Sequence, residues 1–155
     1  MTNSLESNRD TALLILRIGL GLVFIAAGLR HVIGLEGYTN YFGGLGIPAH
    51  GIMAPFVAWL ELLGGIAILL GAFTRAFGGL LAIVMAVAIF AAKIPAAYAV
   101  RDDVVPEVTL WGLGGMIQAE VAMLTLGVVA LLLGGGKYAI DHMITKKKEA
   151  SADTQ

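Results

Sequence analysis

Trp59-Leu60-Glu61-Leu62-Leu63-Gly64-Gly65-Ile66-Ala67-Ile68-Leu69-Leu70-Gly71-Ala72-Phe73-Thr74-Arg75 decides the fold. With the residues just before it, this stretch reaches the roughly 20 apolar residues that cross a hydrocarbon core of about 30 Å. It carries one glutamate. An ionisable side chain in hydrocarbon is costly unless it is paired, hydrated or protonated. Glu61 should therefore face inward, away from lipid, and it needs partners.

The rest of the chain is of the same kind. Of 155 residues, 58% are hydrophobic and only 14% charged, against about 25% charged in an ordinary soluble domain. Mean hydropathy is +0.86. Length predicts one domain, and the apolar blocks predict an all-α integral membrane protein. A net charge of -1 gives no basic field for nucleic acid. The absence of cysteine excludes disulfides, thiolate metal sites, thiol redox chemistry and S-palmitoylation.

Four apolar segments predict helices over about 11–34, 54–73, 76–98 and 112–133. They form one transmembrane domain over 11–141. Residues 1–10 read as a short disordered tail, and the length of the first segment, with Arg17 inside it, argues for a retained helix over a cleaved signal peptide. Within that segment Arg17, Gly21, Phe24, Gly28 and His31 share one helix face. Residues 35–53 are too polar and glycine-rich to span and read as an interfacial loop or short surface helix. Thr74-Arg75 reads as a tight turn that makes segments two and three antiparallel neighbours. Residues 142–155 form a basic tail whose Lys146-Lys147-Lys148 run is an electrostatic anchor to anionic lipid.

Four helices put both termini on one side. Arg9, Arg75, Lys137 and the lysine run lie there, whereas Arg30 and Arg101 on the other side are diluted by Glu36, Asp102, Asp103 and Glu107. The Lys/Arg bias predicts cytoplasmic termini. Tyr38, Tyr41, Trp59, Tyr98 and Trp111 then fall at the outer interface, where aromatic residues belong.

At 1.5 Å per residue, Glu61 lies roughly 10 Å inside the outer boundary. Glu120 lies at similar depth, Lys93 a little shallower, and His31 and Arg30 at the outer end of segment one. These five are expected to meet in the outer half of the bundle. Arg17 belongs to the inner half and is expected to snorkel to headgroups; Arg75 is a second structural or lipid-anchoring cation. Glu61 shares a stripe with Gly64 and Gly71, Lys93 with Ala86, Ala82 and Gly79, and Glu120 with Gly127 and Gly134. Charges on small-residue stripes point to helix contacts.

Several pieces in this order resemble the DoxX family of small four-helix bacterial membrane proteins. They are Leu16-Arg17-Ile18-Gly19-Leu20-Gly21 with Phe24 and Gly28, then Gly46-Ile47-Pro48, then Glu61-Leu62-Leu63-Gly64-Gly65 leading to Leu69-Leu70-Gly71 and Thr74-Arg75. Lys93, Glu120 and the ending Gly134-Gly135-Gly136-Lys137-Tyr138-Ala139-Ile140-Asp141 complete them. The resemblance implies a bacterial inner-membrane location. The family takes its name from subunits of a terminal quinol oxidase and a thiosulfate:quinone oxidoreductase, and it is linked to oxidative-stress responses. It implies a quinone as the cofactor to expect, none being intrinsic, and other subunits of a redox complex as partners beside membrane lipids and a second copy of the chain.

Two readings of Glu61, Lys93 and Glu120 stay open. One is a salt-bridge network that fixes bundle register, in a non-catalytic scaffold, assembly factor or small-molecule carrier. The other is a cavity for a quinone, with a carboxylate as proton carrier and Lys93 as hydrogen-bond donor. Haem ligation is disfavoured because His31 and His50 lie outside and His142 inside. A metal site from His31, Glu61 and Glu120 has no diagnostic spacing, so no metal is expected. The 134–136 glycines lack the strand–loop–helix setting of a phosphate loop and read as a helix terminator.

Overall fold

The computed structural model describes the backbone of residues 2–95 and 109–152, and the side chains of 6–95 and 117–147. The described residues are helical, with no strand among them. In order they are α1 (Thr2–Ile33), α2 (Leu35–Gly44), α3 (His50–Leu70), α4 (Thr74–Ala88) continued by a π-helical turn (Ile89–Lys93), α5 (Thr109–Leu133) and α6 (Ile140–Ala152). Three stretches are long and apolar enough to cross a membrane: Glu6–Ile33, His50–Leu70 and Thr74–Lys93. The Ile117–Leu133 part of α5 is a shorter apolar helix. Residues 99–107, with Arg101, Asp102, Asp103 and Glu107, lie outside the described residues, as do Tyr98 and the side chains of Trp111 and Lys148.

Each helix buries a narrow stripe. On α1 it is Leu13, Arg17, Leu20 and Phe24; on α3 it is Ala54, Ala58, Glu61, Gly64, Gly65 and Ile68. Spacings of three and four put such residues on one side of a 3.6-residue helix. The opposite faces are bare and apolar, as lipid requires: Ile15, Leu22 and Leu29 on α1, and Phe56, Leu63 and Leu70 on α3, are all about half exposed or more.

Small residues decide which helices pair. α1 packs chiefly on α3 and α4 on α5. A Cβ added to Gly21 would sit 2.9 Å from the Gly65 carbonyl oxygen, and one on Gly65 would sit 2.9 Å from that of Gly21. Gly78 and Gly127 stand in the same reciprocal relation, at 2.9 and 3.0 Å. Without a hydrophobic drive between helices in lipid, close backbone approach of this kind supplies the packing energy. Leu20, Phe24, Ile68, Leu81 and Ala130 form the core where the helices meet.

Several boundaries differ from the sequence-based expectation. The 1–10 tail is helical from Thr2, and Asp10 accepts the Lys137 backbone N–H at 3.2 Å. The second span runs over His50–Leu70, not 54–73. It stops at Gly71, whose φ of 76° ends a helix at no steric cost. The turn is thus Gly71–Phe73, and Thr74-Arg75 opens α4. The 142–155 tail is helical through Ala152, whereas the short helix at Leu35–Gly44 is one of the two forms expected of that segment.

Candidate functional site

Two hydrogen-bonded pairs occupy the charges that the sequence placed in one group. In the first, Nδ1 of His31 lies 2.6 Å from Oε2 of Glu61, joining the end of α1 to the middle of α3. Glu61 is buried, at 3% exposure. In the second, Nζ of Lys93 lies 3.0 Å from Oε1 of Glu120, joining the π turn after α4 to α5. Glu61 is therefore held by His31, and Lys93 is not its partner. The division follows from the packing: each pair straddles one of the two glycine-lined helix contacts, α1 on α3 and α4 on α5.

The first pair has a wider setting. Nη2 of Arg30 lies 3.3 Å from Nε2 of His31. A guanidinium has only donors, so the Arg30 contact requires a bare lone pair on Nε2. The proton then sits on Nδ1 and is donated to Glu61. Arg30, His31 and Glu61 form one hydrogen-bonded chain in which the imidazole links a guanidinium to a carboxylate.

The ring of Tyr38 covers His31. The centroids are 3.9 Å apart and the planes differ by 5°, with Phe42 tilted against Tyr38 at 4.7 Å. Tyr38 and Phe42 share a face of α2 four residues apart, and the Ile33–Gly34–Leu35 break between α1 and α2 folds that face back over the end of α1. Burial, and then the Glu61 carboxylate, push the Tyr38 phenol well above its ordinary value. The sequence placed Tyr38 only at headgroup depth; its role as the lid of His31 depends on the angle between α1 and α2, which no local signal encodes.

The Lys93–Glu120 pair is more open, with side chains 34% and 18% exposed. It sits on the one π-helical turn among the described residues. Such turns insert an extra residue and often mark functional positions. Among the described residues no group of three His, Asp or Glu comes together to hold a metal, and Glu120 stays with Lys93, not with His31 and Glu61.

Arg17 does not snorkel. It is 2% exposed and donates to three backbone carbonyls: Nε to Ile68 at 3.0 Å, Nη2 to Leu69 at 2.9 Å and Nη1 to Gly135 at 3.1 Å. The last carbonyls of α3 lack intrahelical donors, and a cation there also meets the negative end of the helix dipole. The helix end outcompetes the headgroups because it offers several acceptors at once. Asp141 does the converse for α4, its two oxygens accepting the backbone N–H of Phe73 at 2.8 Å and Thr74 at 3.0 Å. Arg75 is exposed at the same end.

Comparison with known proteins gives this arrangement a family. The DoxX profile matches residues 12–94, which hold α1 to the π turn with Arg30, His31, Tyr38, Glu61 and Lys93. A Bacillus subtilis (strain 168) protein named "Putative oxidoreductase CatD" is 29% identical over 88% of this chain and 89% of its own. The inner membrane proteins YqjF and YphA of Escherichia coli K12 are 41% and 37% identical, each over 43% of this chain and 49% and 48% of theirs. No solved structure matches at a significant level. With more than half its length matched by the family profile and its spans made of apolar helices, this chain belongs to the DoxX family of membrane proteins.

Proposed function

We propose that the chain is a multi-pass bacterial inner-membrane protein that serves as a non-haem subunit or accessory of a quinone-linked oxidoreductase system. In this reading α5 is a fourth span, and both termini are cytoplasmic by the Lys/Arg bias. The Arg30–His31–Glu61 site faces the outer half of the membrane. The observation that carries the reading is the 2.6 Å His31–Glu61 hydrogen bond beneath the stacked Tyr38 ring.

The residues fit a quinone headgroup in kind. Tyr38 and Phe42 offer aromatic surface, Arg30 offers donors for a ring oxygen, and the Nε2 lone pair of His31, on the side of the imidazole away from the buried Glu61 carboxylate, offers an acceptor for a hydroxyl of the reduced ring. A bound quinone supplies electron transfer coupled to proton uptake. The chain's own residues bind and orient it, and His31 Nδ1 holds a proton against Glu61. The name of the CatD relative, an oxidoreductase name, supports this direction. Labelling the purified protein with a photoactivatable short-chain quinone tests it. Labelled peptides from α1, α2 and α3 are expected; labelling spread over all helices would contradict the site.

A non-catalytic scaffold or small-molecule carrier is the second reading, favoured by the Lys93–Glu120 pair. That pair is closed at 3.0 Å between α4 and α5, the geometry expected of a register-fixing contact.

A further inference from the structure

Toward the other end of α3, away from Glu61, a recess of about 550 Å³ opens where α3 ends, α4 begins and α5 ends. Its walls are the α3–α4 turn, the Gly134–Gly136 segment and the first turns of α6. Phe73, Ala76 and Leu133 supply an apolar floor, and Arg75, Asp141 and His142 supply the polar groups. Asp141 is already committed to the backbone N–H groups of Phe73 and Thr74. Arg75 is different: it is exposed and makes no ion pair among the described residues. Its stem lies against Gly134, where an added Cβ would come within 3.2 Å of Nε, so a larger residue there would crowd it.

Membrane-crossing helices end at headgroup depth. A guanidinium beside an apolar floor at that depth matches one chemistry, an anionic phosphate joined to hydrocarbon. The one carboxylate on the wall, Asp141, is turned onto the backbone N–H groups of Phe73 and Thr74, and α6 leads on from Thr145 to exposed Lys146, a second cation beyond the recess. We infer that the recess binds one anionic phospholipid, its phosphate on Arg75 and the start of its acyl chains over Phe73, Ala76 and Leu133. The site is independent of the quinone reading, because it shares no residue with it.

Native mass spectrometry of the full chain in detergent, with phosphatidylglycerol and phosphatidylcholine of matched acyl chains, tests the inference. One phosphatidylglycerol is expected to be retained over phosphatidylcholine by about fivefold or more. Arg75→Gln should abolish that preference and Arg75→Lys keep part of it. Ala76→Trp, which fills the floor, should lower retention with Arg75 intact, and Arg9→Gln should leave it unchanged. Equal retention of both lipids by the parent would overturn the inference. So would phosphatidylglycerol retention unaltered in both Arg75→Gln and Ala76→Trp. Equal protection of the fold by inorganic phosphate alone would assign Arg75 to a soluble anion and also overturn it.

Discussion

His31 and Glu61 are thirty positions apart and close a 2.6 Å hydrogen bond, the polar contact that ties the end of α1 to α3. It is made in a setting where Glu61 has almost no access to water. Replacing His31 by Ala should leave the carboxylate without its donor and lower stability by roughly 1–3 kcal/mol, the usual cost of an orphaned buried group. Glu61→Gln should cost less, since an amide still accepts from Nδ1. Thermal melts in detergent followed by circular dichroism check the order. A smaller loss for His31→Ala than for Glu61→Gln would show that the pair does not support the fold.

The helix contact beside it rests on glycine. A Cβ on Gly28 would press on the backbone N and Cα of Leu62, whereas Gly19, on the same helix, has nothing within 4 Å. Gly28→Ala should therefore push α1 and α3 apart and lower the melting temperature. Gly19→Ala should be neutral or stabilise by up to about 1 kcal/mol through helix propensity. Equal effects of the two substitutions would contradict the packing.

Much of this was legible in the sequence. The α1 face carrying Arg17, Gly21, Phe24, Gly28 and His31 follows from 3.6-residue spacing, and the inward turn of Glu61 from the cost of an ionisable group in hydrocarbon. What spacing does not encode is which helix lies beside which. Depth placed Glu61, Lys93 and Glu120 at one level, but lateral arrangement gave each carboxylate its own cation or imidazole. Arg17 departs from snorkelling for a related reason: snorkelling treats a cation as having only headgroups to reach, and the carbonyls of Ile68, Leu69 and Gly135 arrive from parts of the chain 51 to 118 residues away.

Arg17 and Asp141 clamp opposite sides of the α3–α4 turn. Arg17→Met should remove three charge-assisted hydrogen bonds and cost about 3 kcal/mol or more. Arg17→Lys should recover only part of this, because one ammonium cannot reproduce the planar fork. Asp141→Ala, which strips the cap of α4, should cost about 0.5–2 kcal/mol. Melts of the purified variants check the ranking, and a parent-like Arg17→Met would refute the clamp.

Tyr38 gives a pH signature. Its phenol is raised from the ordinary value of 10.0, by burial first and the Glu61 carboxylate second. The folded state thus holds the proton more tightly than the unfolded state. The resulting stability is fully present below about pH 10 and is lost progressively as pH rises above it. Tyr38→Phe should flatten this alkaline loss. Absorbance titration of the phenolate in parent and variant measures it; a Tyr38 that ionises at its ordinary value would show that it does not cover His31.

Equilibrium binding of a short-chain quinone to the purified chain tests the central claim most directly. Saturable binding is predicted for the parent, weakened about tenfold by Glu61→Gln, because the carboxylate that orients the His31 ring is replaced by a weaker, neutral acceptor. Lys93→Met should bind as the parent does, because Lys93 belongs to Glu120. No binding by the parent, or equal binding by the parent and Glu61→Gln, would contradict the assignment of this site to a quinone.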